Sequence, residues 1–148
     1  ISKLLRDSFL FGLPIFCEIA KEKKWQYNKA VGELIKRDLV EKSNKGIKEH
    51  EKDAERIRTC LYTMDCYIRS QRYNEASEHS AAKSAFWTNI FTAYSFAMIL
   101  LFASCHGYLA VLAIIVMIFS YVLGRKYYKG QYDAVIQIFL TIMKIEKK

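Results

Sequence analysis

Residues 86–124 have the sequence FWTNIFTAYSFAMILLFASCHGYLAVLAIIVMIFSYVLG, with no Lys, Arg, Asp or Glu in 39 consecutive positions. An α-helix needs about 20 mainly apolar residues to cross the hydrocarbon core of a bilayer. Residues 86–104 and 107–124 each meet this length, and His106 and Gly107 supply the polar turn between them. One helix over the whole stretch would be about 58 Å long, roughly twice the hydrocarbon thickness. The stretch therefore predicts a hairpin of two transmembrane helices.

Basic residues flank this stretch at both of its ends, whereas the turn between the helices carries only His106. Lys83 precedes the stretch, and Arg125 and Lys126 follow it. Basic flanks stay on the cytoplasmic side of a membrane, so we expect both ends of the hairpin in the cytoplasm. Aromatic rings near the same flanks predict a belt at the lipid–water interface. The residues assigned to this interface are Trp87, Arg125, Lys126, Tyr127 and Tyr128.

The predicted spans carry few polar groups. The absence of carboxylates, Lys and Arg argues against a carboxylate-driven transporter. Asn89, Thr92 and Phe96 lie at positions i, i+3 and i+7, and therefore share a helical face. Such a stripe either bonds a neighbouring helix or lines a water-filled path. Ala93 and Ala97 add a pair of small residues four apart, so we favour packing and keep pore lining as the alternative.

The rest of the chain predicts helices rather than a sheet, because 148 residues contain one Pro and six Gly. We expect an all-α membrane protein made of three parts, which assembles into an oligomer. These are a cytoplasmic helical region over residues 1–85, the two-span hairpin over 86–124 and a juxtamembrane amphipathic helix over 125–148. Since the sequence begins with Ile1 rather than Met, we expect the numbering to start inside a longer chain.

A heptad pattern precedes the hairpin. No Gly or Pro lies between residues 47 and 86, so we expect one helix that runs straight into the first span. The heptad seam can pack against residues 15–42 of the same subunit or against a second copy, and we expect both. Its members are Ile47, His50, Ala54, Ile57, Leu61, Met64 and Ile68. A second apolar face, over residues 132–143, is expected either on the bilayer surface or against the helix at 47–85.

The charge and the cysteine content limit the classes of partner and ligand that we expect the chain to bind. The net charge is +8, and residues 125–148 hold six basic and two acidic residues. Beside a membrane segment this asymmetry favours lipid headgroups over nucleic acid. The four cysteines form no C-x-x-C pair and have no His at metal-ligand spacing. We therefore expect reduced thiols, no metal site and no cofactor.

Arg72 and His79 form the one constellation with catalytic potential. Seven residues complete nearly two helical turns, so on one helix the two side chains would share a face. A guanidinium binds a phosphodiester in a fork, and an imidazole moves a proton from a ribose hydroxyl. Metal-free RNA cleavage needs these two groups, provided that two copies converge. The alternative is a solvated pair without function.

The Arg72–His79 spacing resembles the R-x(4–6)-H motif of HEPN-family helical domains, although Tyr73 stands where the family often has a small polar residue. The resemblance implies that residues 1–85 form a HEPN-like region. Together with the hairpin and the short basic chain, it resembles the small membrane accessory proteins of type VI-B CRISPR systems. That resemblance implies a homo-oligomeric pore in the bacterial inner membrane that depolarises the cell during phage infection. The partner it implies is an RNA-guided effector ribonuclease or its RNA products.

Three other functions stay open. A two-span effector of cyclic-nucleotide-signalled defence has a similar layout but needs a nucleotide pocket, which no Gly-rich or aromatic-plus-Arg cluster in the sequence indicates. A membrane-tethered HEPN ribonuclease would use Arg72 and His79 as catalytic residues. In that case the chain would be an enzyme, whereas a pore requires no catalysis. A plain membrane anchor would need neither chemistry nor conductance.

Overall fold

The computed structural model describes residues 13–37, 39, 49–104 and 106–146. Every regular element in these ranges is an α-helix, which confirms the all-helical prediction. The helices are α1 (Leu13–Glu22), α2 (Lys24–Lys36), α3 (Glu49–Ser70), α4 (Glu75–Ala103) and α5 (Gly107–Glu146).

Helices α1, α2 and α3 pack with the second half of α5 into a bundle. Along α1, Glu18 pairs with Arg125, and one turn later Glu22 pairs with Lys129. Because both partners advance by four residues, α1 runs parallel to α5. Two ion pairs thus align the start of the bundle with the middle of α5.

Aromatic rings form the part of the bundle core nearest to the hairpin. The ring of Phe16 lies 5.1 Å from that of Tyr132 and 6.1 Å from that of Tyr128, and Tyr62 lies 6.2 Å from Tyr132. Each such pair contributes about 0.5–1.5 kcal/mol beyond its buried area. Desolvation in this cluster raises the pKa of the Tyr132 hydroxyl. The rest of the core is aliphatic and includes Ile15, Ile19, Leu34, Leu61, Met64, Ile68, Val135, Ile136 and Phe139.

Helix α5 is unbroken from residue 107 to residue 146, about 60 Å at 1.5 Å per residue. The residues of the predicted juxtamembrane amphipathic helix over 125–148 are helical as far as residue 146, and they continue the second helix of the hairpin without a break. No Pro interrupts the stretch, and the apolar face over 132–143 continues the helix into the bundle core. Tyr132, Phe139 and Met143 are at most 2% exposed. Of the two predicted positions for this face, packing against other helices is the one observed.

The described residues of the heptad seam pack against other helices of the same chain. Ala54, Leu61, Met64 and Ile68 are buried, and Ile57 is partly buried. Helices α1 and α5 cover these positions, so they offer no surface to a second copy. Residue 47 and the side chain at position 50 lie outside the described residues.

The expected continuous helix from the seam into the first span is interrupted at residues 71–74. Arg72 has a left-handed backbone (φ 61°). Its N–H bonds to the Arg69 carbonyl at 3.1 Å, and the Tyr73 N–H bonds to the Ile68 carbonyl at 3.2 Å. These two bonds are those of a Schellman motif, the common way to end an α-helix. The next helix, α4, begins after Asn74 and has acidic residues in its first turn. This combination in the sequence is typical of a helix start.

Candidate membrane-spanning hairpin

Helices α4 and α5 form an antiparallel hairpin whose turn lies at the predicted position. The His106 N–H bonds to the Leu101 carbonyl at 3.0 Å, which closes α4. The His106 carbonyl accepts the Ala110 N–H at 3.1 Å, which begins α5. One helix therefore ends at Ala103 and the next begins at Gly107, where the polar turn was expected.

One hydrogen bond gives the register of the two helices. The Ser84 hydroxyl donates to the Gly124 carbonyl at 3.3 Å, and both residues lie 20 positions from residue 104. From this bond to the turn, α4 rises about 28 Å and α5 about 26 Å. Both lengths are close to the roughly 30 Å of a bilayer's hydrocarbon core. The first charged residues, Lys83 and Arg125, follow directly outside this segment.

Small residues line the contact between α4 and α5. Ser84, Thr88, Ala113 and Ser120 are at most 3% exposed, and Gly124 is also buried. Small side chains let two helices approach closely, as in membrane helix pairs. The sequence analysis missed this face, although its small residues on α5 recur at intervals of seven and four. The Thr88 hydroxyl bonds back to the Ser84 carbonyl at 2.8 Å, so it needs no partner across the contact.

The opposite surface of the hairpin is apolar and uncovered. Both helices are long and apolar enough to cross a membrane, and only 6% and 22% of their most apolar segments are buried. A core helix of a water-soluble protein would be mostly covered, so this exposure favours lipid contact. On α5, every exposed position from 108 to 122 carries a large apolar side chain. These are Tyr108, Leu109, Val111, Leu112, Ile115, Ile118, Phe119 and Val122.

Two of the three residues predicted for a pore or a helix contact point outward. Asn89 is exposed and Phe96 is 54% exposed. Thr92 lies at the edge of that face, partly buried, and its hydroxyl bonds to the Thr88 carbonyl at 2.9 Å. Within the described residues the Asn89 amide has no hydrogen-bond partner.

The predicted interface residues separate into two groups. Lys126 is exposed, Trp87 and Tyr127 are partly exposed, and the Lys83 ammonium lies 5.4 Å from the Tyr127 ring. Arg125 is partly buried and bonded to Glu18. These residues surround the base of the hairpin, as an interfacial belt requires. The remaining member of the prediction, residue 128, places its ring in the bundle core and has almost no surface to offer to lipid.

Arg72 and His79 do not share one helix. Arg72 lies in the turn, His79 in the second turn of α4, and both are exposed. Neither side chain forms a hydrogen bond within the described ranges. Between them, Glu78 pairs with Arg69 at 3.6 Å and accepts a hydrogen bond from Asn74, which ties the two helices together across the turn. The predicted pair is therefore accessible, but its members are held by different elements.

A groove between α2 and α5 encloses a cavity of about 290 Å³. Lysines lie on both helices that form it, and the Glu33 side chain in it is paired with Lys36 at 3.5 Å. Its volume is near the lower limit of small-ligand pockets. The lining residues are Lys29, Glu33, Gln137, Leu140, Thr141, Met143 and Lys144.

The thiols are separate from one another where the structure describes them. Cys17, Cys60 and Cys66 are free, and Cys105 lies outside the described residues. Burial raises the pKa of the Cys60 thiol, which keeps it protonated. No group of three His, Cys, Asp or Glu side chains suited to a metal ion occurs in the described ranges.

The chain matches no protein-family model, no curated protein and no solved structure.

Proposed function

We propose that several copies of this chain assemble through their hairpins in a bacterial inner membrane and form a pore that depolarises the cell as an antiviral response. The observation that supports this is the uncovered apolar surface of a hairpin about one bilayer in length. Its outward face also carries an unpaired amide at Asn89. Two helices packed on small residues enclose no path of their own, so conduction requires several copies.

The charge distribution supports one orientation. Lys83 and Lys126 are exposed at the base of the hairpin, whereas the turn carries only His106. By the positive-inside rule the base and the bundle are cytoplasmic. Helix α5 belongs to both parts without interruption. A partner that binds the bundle therefore acts on a helix that also crosses the membrane.

The trigger in this proposal is an RNA-guided ribonuclease of the type VI-B kind or its RNA products, and it rests on the resemblance to the accessory proteins of those systems. The exposed corner that holds Arg72 and His79 is the surface on the bundle that suits such a partner. A guanidinium and an imidazole that have no partner in the described ranges can both bind phosphate oxygens.

Two measurements test the proposal. One follows a membrane-potential dye in cells that express the chain with its trigger, and the other follows dye release from vesicles that contain the purified protein and receive the same trigger. Depolarisation and release are expected, and Asn89→Leu should reduce both. Leu112→Ile, a conservative change on the outward face of α5, is the matched control. An intact potential in cells whose membranes contain the protein would exclude the pore.

A second candidate is a metal-independent ribonuclease, favoured by the exposure of both Arg72 and His79. Because residue 72 has a left-handed backbone, Arg72→Gly removes the guanidinium without straining the turn. Purified protein should cleave RNA in the presence of a chelator, and Arg72→Gly and His79→Ala should each abolish cleavage. RNA that stays intact with the unaltered protein would eliminate this candidate.

A cyclic-nucleotide trigger is the third candidate, and the cavity between α2 and α5 favours it. Lys29 and Lys144 are the cationic groups that would receive a phosphate there. Calorimetry with cyclic oligonucleotides is expected to give heat that Lys29→Ala and Lys144→Ala remove. Unchanged heat in both variants, or no heat at all, would exclude this cavity as the nucleotide site.

A further inference from the structure

The outward faces of α4 and α5 differ in composition. From 108 to 122, α5 exposes only large apolar side chains, the type that lipid tails accommodate best. Helix α4 instead exposes an amide and small residues among its large ones. One row of exposed residues on α4 alternates by three and four positions: Phe86, Asn89, Ala93, Phe96, Leu100 and Ala103. This row is called the Asn89 face below.

Asn89 is the residue that identifies what covers this face. It lies five positions beyond Ser84, about 8 Å inside the uncharged segment. Its amide has no hydrogen-bond partner in the described part of the chain, and hydrocarbon offers none. An amide contains both a donor and an acceptor, so it is complementary to a second amide. In a homo-oligomer, Asn89 of every copy lies at the same depth.

We propose that the Asn89 face binds the same face of a second copy, with the two α4 helices parallel and the Asn89 amides bonded to each other. Ala93 and Ala103 allow close approach, and Phe86, Phe96 and Leu100 fill the space between them. The 3–4 spacing is that of a left-handed helix pair. Helix α5 then faces lipid. A contact of a face with itself joins copies in pairs. The proposal rests on the proposed function, since such pairs would be the units from which the pore assembles.

The seam of α3 cannot supply this contact. Leu61, Met64 and Ile68 are fully buried in the bundle of their own chain. In the described residues, the hairpin is therefore the part of the molecule with a large apolar surface left uncovered.

Cysteine cross-linking in membranes tests the assignment. In a chain with Cys66 and Cys105 changed to Ser, Phe96→Cys should form disulfide-linked dimers on oxidation. Leu112→Cys is the matched control, because residues 96 and 112 are equidistant from residue 104 and lie at the same depth on α4 and α5. It should form few dimers.

A second variant tests the amide itself. Adding Asn89→Leu to the Phe96→Cys chain should lower the dimer yield about threefold to eightfold, as expected for one or two hydrogen bonds between membrane helices. Asn89→Gln, which keeps the amide, should retain most of it. Equal yields with Leu and Gln would overturn the role of the amide.

The outcomes separate this contact from the pore. Dimers through Leu112→Cys but not through Phe96→Cys, or depolarisation without any Phe96→Cys dimer, would overturn the Asn89 face and leave the pore in place. Dimers through Phe96→Cys without depolarisation would support the face and exclude the pore.

Discussion

The Ser84 hydroxyl donates a hydrogen bond to the Gly124 carbonyl, 40 positions further along the chain. Lys83 and Arg125 are the neighbours of these residues on the outer side. The bond therefore lies where the uncharged part of the hairpin meets the charged part of the molecule. Beyond it toward the bundle, α4 and α5 take different partners, since α5 alone enters the bundle core.

Enlarging Ser84 should separate the two helices. The side chain is 1% exposed against α5, so Ser84→Leu adds volume to a close contact and should cost about 1–3 kcal/mol of stability. Ser84→Ala loses the hydrogen bond alone, worth about 0.6 kcal/mol in membrane proteins. Thermal unfolding in detergent measures the difference. Equal stabilities of the Leu and Ala variants would contradict the small-residue contact.

Glycine at position 72 should stabilise the chain. Arg72 has φ 61°, a backbone conformation that costs a residue with a Cβ roughly 1–2 kcal/mol. Arg72→Gly removes that cost and loses part of the gain to the freer unfolded chain, so we expect about 0.5–1 kcal/mol. Arg72→Ala retains the Cβ and should bring no gain. A lower melting temperature with Gly than with Ala would show that the left-handed turn does not need glycine.

The hairpin was predictable because it is defined by a long stretch of consecutive residues without charge. The end of α3 was not, because Arg72 adopts there the backbone that Gly usually supplies. The lack of Gly and Pro near residue 72 therefore predicted a continuous helix where the hydrogen bonds show an ending. Asn74 with Glu75 and Glu78 after it was the available indication of a new helix.

The position of residue 128 shows a second limit of prediction from the sequence. A tyrosine four residues after a membrane span fits an interfacial belt as well as it fits a core, and sequence spacing cannot distinguish the two. What decides is the ring cluster that Phe16 of α1 completes. That contact joins residues more than 100 positions apart, so only the folded chain reveals it.

Asp133 should destabilise the bundle at neutral pH. One of its carboxylate oxygens is buried without a hydrogen bond in the described residues. Burial raises the pKa of Asp133, although Lys23 and Lys129 act to lower it. With a folded pKa above the unfolded value of about 3.9, the native state binds the proton more tightly. Stability therefore falls as pH rises through that interval and stays reduced above it.

Replacing the Asp133 carboxylate tests this direction of the pH dependence of stability. Asp133→Asn should raise the melting temperature at about pH 7 and have less effect near pH 3.5, where the carboxyl is mostly protonated in both states. Glu22, which is paired with Lys129 on the neighbouring helix, gives a control in Glu22→Gln, since it removes a carboxylate without removing the buried oxygen. A stabilisation by Asp133→Asn that is the same at both pH values would contradict the prediction.

Glu146, the last residue of the same helix, should respond to pH in the opposite direction. The Tyr67 hydroxyl donates to its carboxylate at 2.8 Å, and Arg37 pairs with it, so its pKa is lowered, first by Tyr67 and then by Arg37. A lowered folded pKa gives stability that is present above the unfolded value of about 4.3 and is lost as pH falls through the folded value. Glu146→Gln should therefore lower the melting temperature slightly at neutral pH and leave it unchanged in acid.

A second variant measures how much of the stability lost in Glu146→Gln comes from the Tyr67 hydroxyl. Tyr67→Phe keeps the ring against Phe139, 5.6 Å away, and removes only the hydroxyl that reaches Glu146. It should produce part of the Glu146→Gln loss, and the double variant should lose less than the sum, because both changes remove the same hydrogen bond. The loss is expected to be smaller than that of Ser84→Leu, since the carboxylate is exposed to water, which screens the ion pair. Additive losses in the double variant would mean that the Tyr67 hydroxyl acts through another partner, such as the Arg37 guanidinium that donates to it at 3.0 Å, and not through Glu146.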